Sequence, residues 1–422
     1  MGYDEAYVWF WMPGAIKPVV AGRLARYGVR LVFNYGRGYL ARADAVPLYL
    51  PELPLEPGEL PLPAGLSMPS AIRDAASDAW GRRVIVNRRF GSKRGDIDIG
   101  QLDELTYLLD SGSDRIGALD FQRSATDYVP RETRAASLEE LLTSAERVES
   151  GQPITPELDL ALFHGSSLGG ARPKAMIEER TSKSIAKFSS RTDVFNVVKG
   201  EFVAMRLAAA CGLDVAAVRL VSAAGKDVLL VERFDREVSS EGWRRKAMVS
   251  ALTLFGLDEM MARYASYEDF AEIIRRRFPE PTKTLRELYA RLVFNILCGN
   301  TDDHARNHAA FWNGKSLSLT PAYDICPQGR AGNEASQAML IMGQDRRSRL
   351  STCLAAAPMF RLRADEALHL IEKQILTIVD RWTTVCDDAG LSVVDRNVMW
   401  RRQFLNPVIF ENAPAQIADL VT

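Results

Sequence analysis

The sequence predicts an α+β fold in which a strand-rich start gives way to a mainly helical end. The first hundred residues look strand-rich, with short apolar runs bounded by Gly and Pro. A second set of strand-like runs, between about Ile154 and Phe234, encloses one helical segment. From Ala247 onward the apolar residues recur at helical spacing. The expected divisions are an N-terminal subdomain over 1–150, a small lobe over 151–236 and a helical lobe over 237–422.

In the first part, Tyr7 to Trp11, Val19 to Leu24 and Val29 to Tyr35 read as strands of a small antiparallel sheet. The proline-rich stretch from Pro47 to Pro63 reads as an extended, packed connection. Ala71 to Trp80, Gln101 to Leu109 and Ser137 to Ser150 have helical spacing. The middle part opens on a glycine-bearing loop, Ser166 to Lys174, followed by a strand, Ser184 to Phe188. A helix from Asn196 to Cys211 closes at Gly212, and two strands, Ala217 to Ser222 and Val228 to Phe234, complete it. The last part predicts helices over Ala247 to Phe255, Tyr267 to Phe278, Thr284 to Cys298, Ala364 to Cys386 and Asp395 to Phe410.

At 422 residues the chain is long for a single core, and its 47% hydrophobic and 25% charged residues are those of an ordinary globular protein. Lys and Arg total 53 against 54 Asp and Glu, which excludes a molecule-wide basic field for nucleic acid or anionic membranes. Five cysteines (Cys211, Cys298, Cys326, Cys353, Cys386) are scattered without zinc or disulfide spacing, so a reducing cytoplasm is the expected compartment. No run has membrane-spanning length and the start lacks a signal-peptide pattern, so neither export nor a membrane is expected. Arg275-Arg276-Arg277 and Arg346 to Arg349 are expected as solvated surface.

The stretch Gly299-Asn300-Thr301-Asp302-Asp303-His304-Ala305-Arg306-Asn307, with Thr320-Pro321-Ala322-Tyr323-Asp324 downstream, carries the clearest chemistry. In a protein-kinase catalytic loop the base Asp and the metal-binding Asn lie five positions apart, which is the separation of Asp302 and Asn307. Asp302 would accept the proton of a hydroxyl, and Asn307 and Asp324 would coordinate Mg²⁺, a hard cation that prefers oxygen ligands. Lys187, on a strand after the glycine loop, is placed to reach the phosphates of ATP, and Glu201 in the next helix could pair with it. Gly169 and Gly170 allow backbone amides close to a nucleotide. Two blander readings stand beside this one. Asn300 to Asp303 could be only a capped turn, and His304 with His308 could instead ligate the metal of a phosphohydrolase.

The order of glycine loop, lysine strand, helix and further strands resembles the small lobe of a kinase, and nearly the whole chain resembles the HipA-type serine/threonine kinases. These are the toxins of HipBA-like toxin–antitoxin pairs. Phe33 to Tyr49 resembles the family's small β subdomain. Ser77-Asp78-Ala79-Trp80-Gly81-Arg82-Arg83 resembles a Pro-Asp-x-Trp-Gly-Arg segment, with Ser77 where proline is usual. Asp114-Arg115-Ile116-Gly117-Ala118-Leu119 resembles a second signature, Val231 to Arg236 the adenine hinge, and Phe294 to Asn307 the catalytic loop. The resemblance implies an α+β, protein-kinase-like fold, with Asp302 as base, Asn307 and Asp324 as metal ligands and Lys187 as phosphate lysine. Glu232, Arg233 and Phe234 would meet adenine, with His304 and Tyr323 lining the nucleotide. Gly169, Gly170, Ala171, Arg172, Pro173 and Lys174 would form a mobile phosphate loop. Autophosphorylation of Ser167, or of its neighbour Ser166, would shut the enzyme off. The implied partners are a HipB-like helix-turn-helix antitoxin, through which alone DNA is met, and a protein substrate such as an aminoacyl-tRNA synthetase. A catalytically silent co-repressor is the alternative within the same family.

Overall fold

The computed structural model describes residues 2–90, 102–131, 136–150, 152, 166–167, 170, 172–190, 193, 195–329 and 335–421. The chain divides into two compact units. The first comprises Met1–Thr192, Val221–Val249 and Phe311–Lys315, and the second Asp193–Leu220, Ser250–Ala310 and Ser316–Thr422.

The first unit holds the expected N-terminal sheet. Strands β1 (Glu5–Phe10), β2 (Val19–Tyr27) and β3 (Arg30–Tyr35) pair antiparallel, with Tyr7 opposite Arg23 and Leu24 opposite Phe33. A fourth strand, β4 (Leu119–Gln122), pairs with the free edge of β1 and gives the order β3-β2-β1-β4. Sequence reasoning did not assign β4. All four of its residues are buried, so it has no polar and apolar alternation to read.

Helix α1 (Ala79–Phe90) corrects the expectation of a helix over Ala71 to Trp80. A single turn, Ser70–Arg73, ends before Ser77, and α1 starts afresh at Ala79. The break follows from side-chain competition: Ser77 Oγ donates to the Ser166 carbonyl at 2.5 Å and the Asp78 carboxylate accepts from the Gly170 amide. Helices α2 (Glu104–Asp110) and α3 (Leu138–Glu149) begin at the caps their sequences offer, Asp103 and the reciprocal Ser137–Glu140 pair.

The second sheet of this unit runs β5 (Lys174–Glu178), β6 (Lys183–Phe188), β8 (Lys226–Glu232) and β7 (Val218–Ala223), in that order. Its inner face packs Ala186, Phe188, Val228 and Leu230 against Trp80 and Val84 of α1 and against Leu141, Leu142 and Val148 of α3. Burial of this apolar surface is the main force holding the sheet to its helices.

The second unit is mainly helical. Helix α4 (Val197–Ala210) is capped by Asn196, whose side chain accepts from the Lys199 amide at 3.0 Å. Helix α5 (Tyr267–Arg277) starts at a Ser266 cap, and α6 (Pro281–Cys298) starts one turn earlier than predicted because Pro281 suits a first helical position. Helix α7 (Ala364–Asp388) is the longest. Two expected helices are corrected. Ala247–Ser250 is extended and only Ala251–Leu254 is helical, since Ser250 is a cap whose Oγ accepts from the Thr253 amide at 3.2 Å. The Asp395 to Phe410 helix is interrupted after Val393–Met399, where Arg401 (φ 64°) and Leu405 (φ 51°) take left-handed conformations that no helix tolerates. Among the described residues no helix is long and apolar enough to cross a membrane.

Candidate active site

Helix α6 delivers the acidic loop. It ends at Gly299, where φ is 72° and an added Cβ would stand 2.7 Å from the Gln403 carbonyl oxygen, so both conformation and space require glycine. The exit is fixed by Asn300, whose amide donates to the Asn295 carbonyl at 2.8 Å and whose side-chain nitrogen donates to Asn295 Oδ1 at 3.0 Å. The loop then closes on itself. The Asp302 carbonyl accepts from the His304 amide at 2.9 Å and from Asn307 Nδ2 at 3.1 Å, and the Asn307 amide donates to the His304 carbonyl at 2.8 Å. Asp302 and Asn307, paired in sequence only by spacing, are therefore in contact.

The downstream segment belongs to the same assembly. Tyr323 donates from its hydroxyl to the Arg306 carbonyl at 2.7 Å, within the loop. Asp324, the next residue, has φ 59°. A left-handed aspartate is uncommon outside turns and strained sites.

Charge distinguishes the two adjacent aspartates. Asp302 is exposed, whereas Asp303 is 2% exposed. Desolvation by the surrounding protein raises the Asp302 carboxyl above its ordinary value; His304 opposes the rise, and Asp324 and Asp303 add to it. Burial would raise Asp303 too, but His308, through its charge and its hydrogen bond, and Tyr267 hold it below the ordinary range. His308 Nε2 lies 2.9 Å from Asp303 Oδ1, and the Tyr267 hydroxyl donates to Asp303 Oδ2.

These contacts bear on a metal. The Asn307 side-chain nitrogen Nδ2 is committed to the Asp302 carbonyl, which leaves its side-chain oxygen able to ligate a hard cation, and Asp324 offers a carboxylate. Desolvation is the main cause of the Asp302 rise, and the part that Asp324 and Asp303 add to it is what a bound cation would relieve. One or two protein oxygens completed by phosphate and water oxygens is the usual manner of holding Mg²⁺, so these residues fit it. His308 is instead engaged with Asp303, and among the described residues no group of three or more His, Cys, Asp or Glu could hold a metal ion.

In the first unit, Lys187 of β6 stands directly opposite Lys174 of β5 in the antiparallel register. Paired residues of such a ladder share a face, so two ammonium-bearing side chains are presented together, an arrangement that favours an anion. Gly170 has φ 97°, and a Cβ there would lie 2.0 Å from Lys174 Nζ. Gly169 and Ala171 lie outside the described residues. Arg172 is half-buried, and the Pro173 carbonyl accepts from the Phe188 amide at 3.1 Å. Ser166 and Ser167 are buried: Ser166 Oγ accepts from the Gly112 amide at 3.0 Å, and Ser167 Oγ donates to the Asp114 carbonyl at 3.1 Å.

The adenine-hinge residues have mixed commitments. Glu232 pairs with Ser184 at the end of β8 and is exposed, and Phe234 meets Phe311 edge to face at 5.8 Å. Arg233 is buried, its amide donates to the Lys183 carbonyl at 2.8 Å, and its guanidinium binds Asp235 and Asp114 at 2.7 and 3.1 Å. Arg236 joins the same two carboxylates at 2.9 and 2.7 Å, and Lys183 reaches Asp114 at 2.9 Å. Burial would raise Asp114, but Arg233, Arg236, Arg245 and Lys183 hold it well below the ordinary range. Arg236 itself is lowered to about 10 by burial and the neighbouring Arg233. Gly117 donates its amide to Asp235 at 2.7 Å, so the 114–119 and 231–236 motifs form one buried ionic knot.

Glu201 is buried in α4 of the second unit, whereas Lys187 belongs to the first. Sequence reasoning gave no role to Tyr267, Asp303 or Asp78. Only Asp303 had a legible signal, its adjacency to Asp302.

The fold and this loop define the protein class: an α+β, protein-kinase-like fold. The HipA chain of the Shewanella oneidensis toxin–antitoxin system, solved with HipB and operator DNA, superposes with a TM-score of 0.66 over 95% of this chain and 99% of that one, at 18% identity. The model of the HipA-like C-terminal domain matches residues 166–382, and the chain belongs to that family. Among curated relatives, the Y4mE protein of Sinorhizobium fredii is 33% identical over 147 residues, 33% of each chain. The serine/threonine-protein kinase toxin HipA of Shewanella oneidensis is 24% identical over 243 residues, 51% of this chain and 54% of that one. The chain thus spans about a third and about half the length of these two relatives.

Proposed function

We propose that this chain is an ATP- and Mg²⁺-dependent serine/threonine protein kinase. One observation carries the reading: the Asp302–Asn307 loop is closed by a direct hydrogen bond, with the Asp324 carboxylate close enough to raise Asp302. Asp302 takes the proton of the acceptor hydroxyl as its oxygen bonds to the γ-phosphorus. The bond from that phosphorus to the β–γ bridging oxygen breaks, and ADP leaves with the electron pair. Its raised carboxyl suits a group that must accept a proton. Asn307 and Asp324 would hold Mg²⁺, which when bound supplies positive charge against the β- and γ-phosphate oxygens. Lys187 and Lys174 would serve the phosphates and the 232–234 segment adenine, with Arg233 offering backbone alone. His304 and Tyr323 line the nucleotide.

The cellular role we infer is that of a growth-inhibiting toxin acting on a translation-related protein, an aminoacyl-tRNA synthetase being the type of substrate. A HipB-like antitoxin would supply the DNA contact. Similarity to a HipA solved with HipB and operator DNA supports this reading. Ser167, or Ser166, is the self-inactivation site. Both are buried and hydrogen-bonded, so each must leave its present contacts before it is modified, and a phosphoserine's charge would be costly to bury there again.

The test is incubation of the purified protein with labelled ATP and Mg²⁺ beside Asp302→Ala, followed by mass spectrometry of the Ser166-Ser167 peptide and of added synthetases. Label in wild type alone supports the kinase. Equal absence of label from both proteins, with nucleotide still bound, favours a silent co-repressor.

A further inference from the structure

Tyr267, Asp303 and His308 form a polar trio in the interior of the second unit, 0%, 2% and 3% exposed. Asp303 accepts from the Tyr267 hydroxyl on one oxygen, its other oxygen lies 2.9 Å from His308 Nε2, and Tyr267 Oη lies 3.3 Å from that same nitrogen. The Tyr267 and His308 rings meet edge to face at 5.6 Å, and the His308 carbonyl accepts from the Ala251 amide at 2.8 Å. The placement in sequence is what matters. Asp303 directly follows Asp302, His308 directly follows Asn307, and Tyr267 is the first residue of α5. The trio therefore grips the six-residue loop at both ends from beneath while Asp302 faces out.

We infer that Tyr267, Asp303 and His308 are positioning residues that hold Asp302 and Asn307 at their working separation. This rests on the kinase reading for its catalytic consequence, but the holding itself does not. An apolar trio of equal volume would fill the same space, and burying three polar side chains is costly unless each is bonded. What directional bonds add over packing is a fixed orientation of the two backbone segments that carry the working groups. None of the three touches substrate in this scheme; they act through their neighbours.

Tyr267→Phe is the discriminating variant, because it removes one hydroxyl and keeps the ring. Displacement of a catalytic group by as little as 1 Å costs up to about 100-fold in rate, so kcat should fall about 10- to 100-fold. The Kd for ADP should stay within about twofold, because the variant removes no proposed nucleotide contact. Asp303→Asn should behave alike. An arm independent of activity follows the side-chain amide of Asn307 by ¹⁵N NMR, assigned with Asn307→Ala. Wild type should show two inequivalent, slowly exchanging protons that merge and exchange faster in Tyr267→Phe. Unchanged Asn307 signals in Tyr267→Phe would overturn the clasp whatever the activity. Altered signals without transfer by wild type would leave the clasp standing and overturn the kinase reading instead. Wild-type kcat in a Tyr267→Phe enzyme would overturn the catalytic consequence.

Discussion

The side-chain amide of Asn307 donates to the backbone carbonyl of Asp302 at 3.1 Å, so the proposed metal ligand also sets the conformation of the residue proposed as base. Asn307→Asp keeps an oxygen ligand but turns the donor into a second acceptor facing a carbonyl. Phosphate transfer should fall about 10- to 100-fold, as for loss of a positioned catalytic group. A steady-state assay in which Asn307→Asp matches wild type would remove the hydrogen bond from the mechanism.

Asp324→Asn tests the metal assignment. With its only proposed full carboxylate charge gone, nucleotide affinity should lose most of its dependence on Mg²⁺. Calorimetric titrations with and without the cation make the comparison, and equal responses of wild type and variant would refute the role.

Gly299→Ala tests the loop entrance. The left-handed φ and the Gln403 carbonyl 2.7 Å from the new Cβ act together, so a loss of about 1–3 kcal/mol of stability is expected. Urea unfolding midpoints that coincide would show that α6 can end there without glycine.

Acid should weaken the first unit through Asp114 and Asp235, both held below ordinary carboxylate values. In the unfolded chain they regain ordinary values of about 4, so their contribution is complete only above about pH 5. It is lost as pH falls from there through the depressed native values, because the unfolded chain then binds more protons. The thermal midpoint of wild type should drop more steeply between about pH 5 and 2 than that of Asp235→Asn. Parallel slopes would mean that the ionic knot is not linked to folding.

Much was legible before any coordinates. Apolar runs between Gly and Pro located β1 to β3, and helical spacing located the helices that Ser137, Asn196 and Ser266 prove to cap. The five-residue spacing of Asp302 and Asn307 located the loop, because these signals are local and each is fixed by a few neighbouring residues. Elements whose reasons are distant were lost. β4 is buried on both faces and has no period, and the helix expected through Ser77 breaks because Ser77 and Asp78 reach to Ser166 and Gly170, about ninety positions away.

The same division holds for the site. The sequence by itself determined which residue types could orient a hydroxyl and hold a hard cation, and that Lys187 would lie on a strand after a glycine loop. Only the tertiary structure decided that Lys174 stands opposite Lys187, that Arg233 turns into an ionic knot with Asp114, and that Asp303 and His308 face inward while Asp302 faces out. The physical reason is that side-chain chemistry is written one residue at a time. Which groups share a low-dielectric interior, and so which charges must pair there, depends on segments brought together only when the apolar surface is buried.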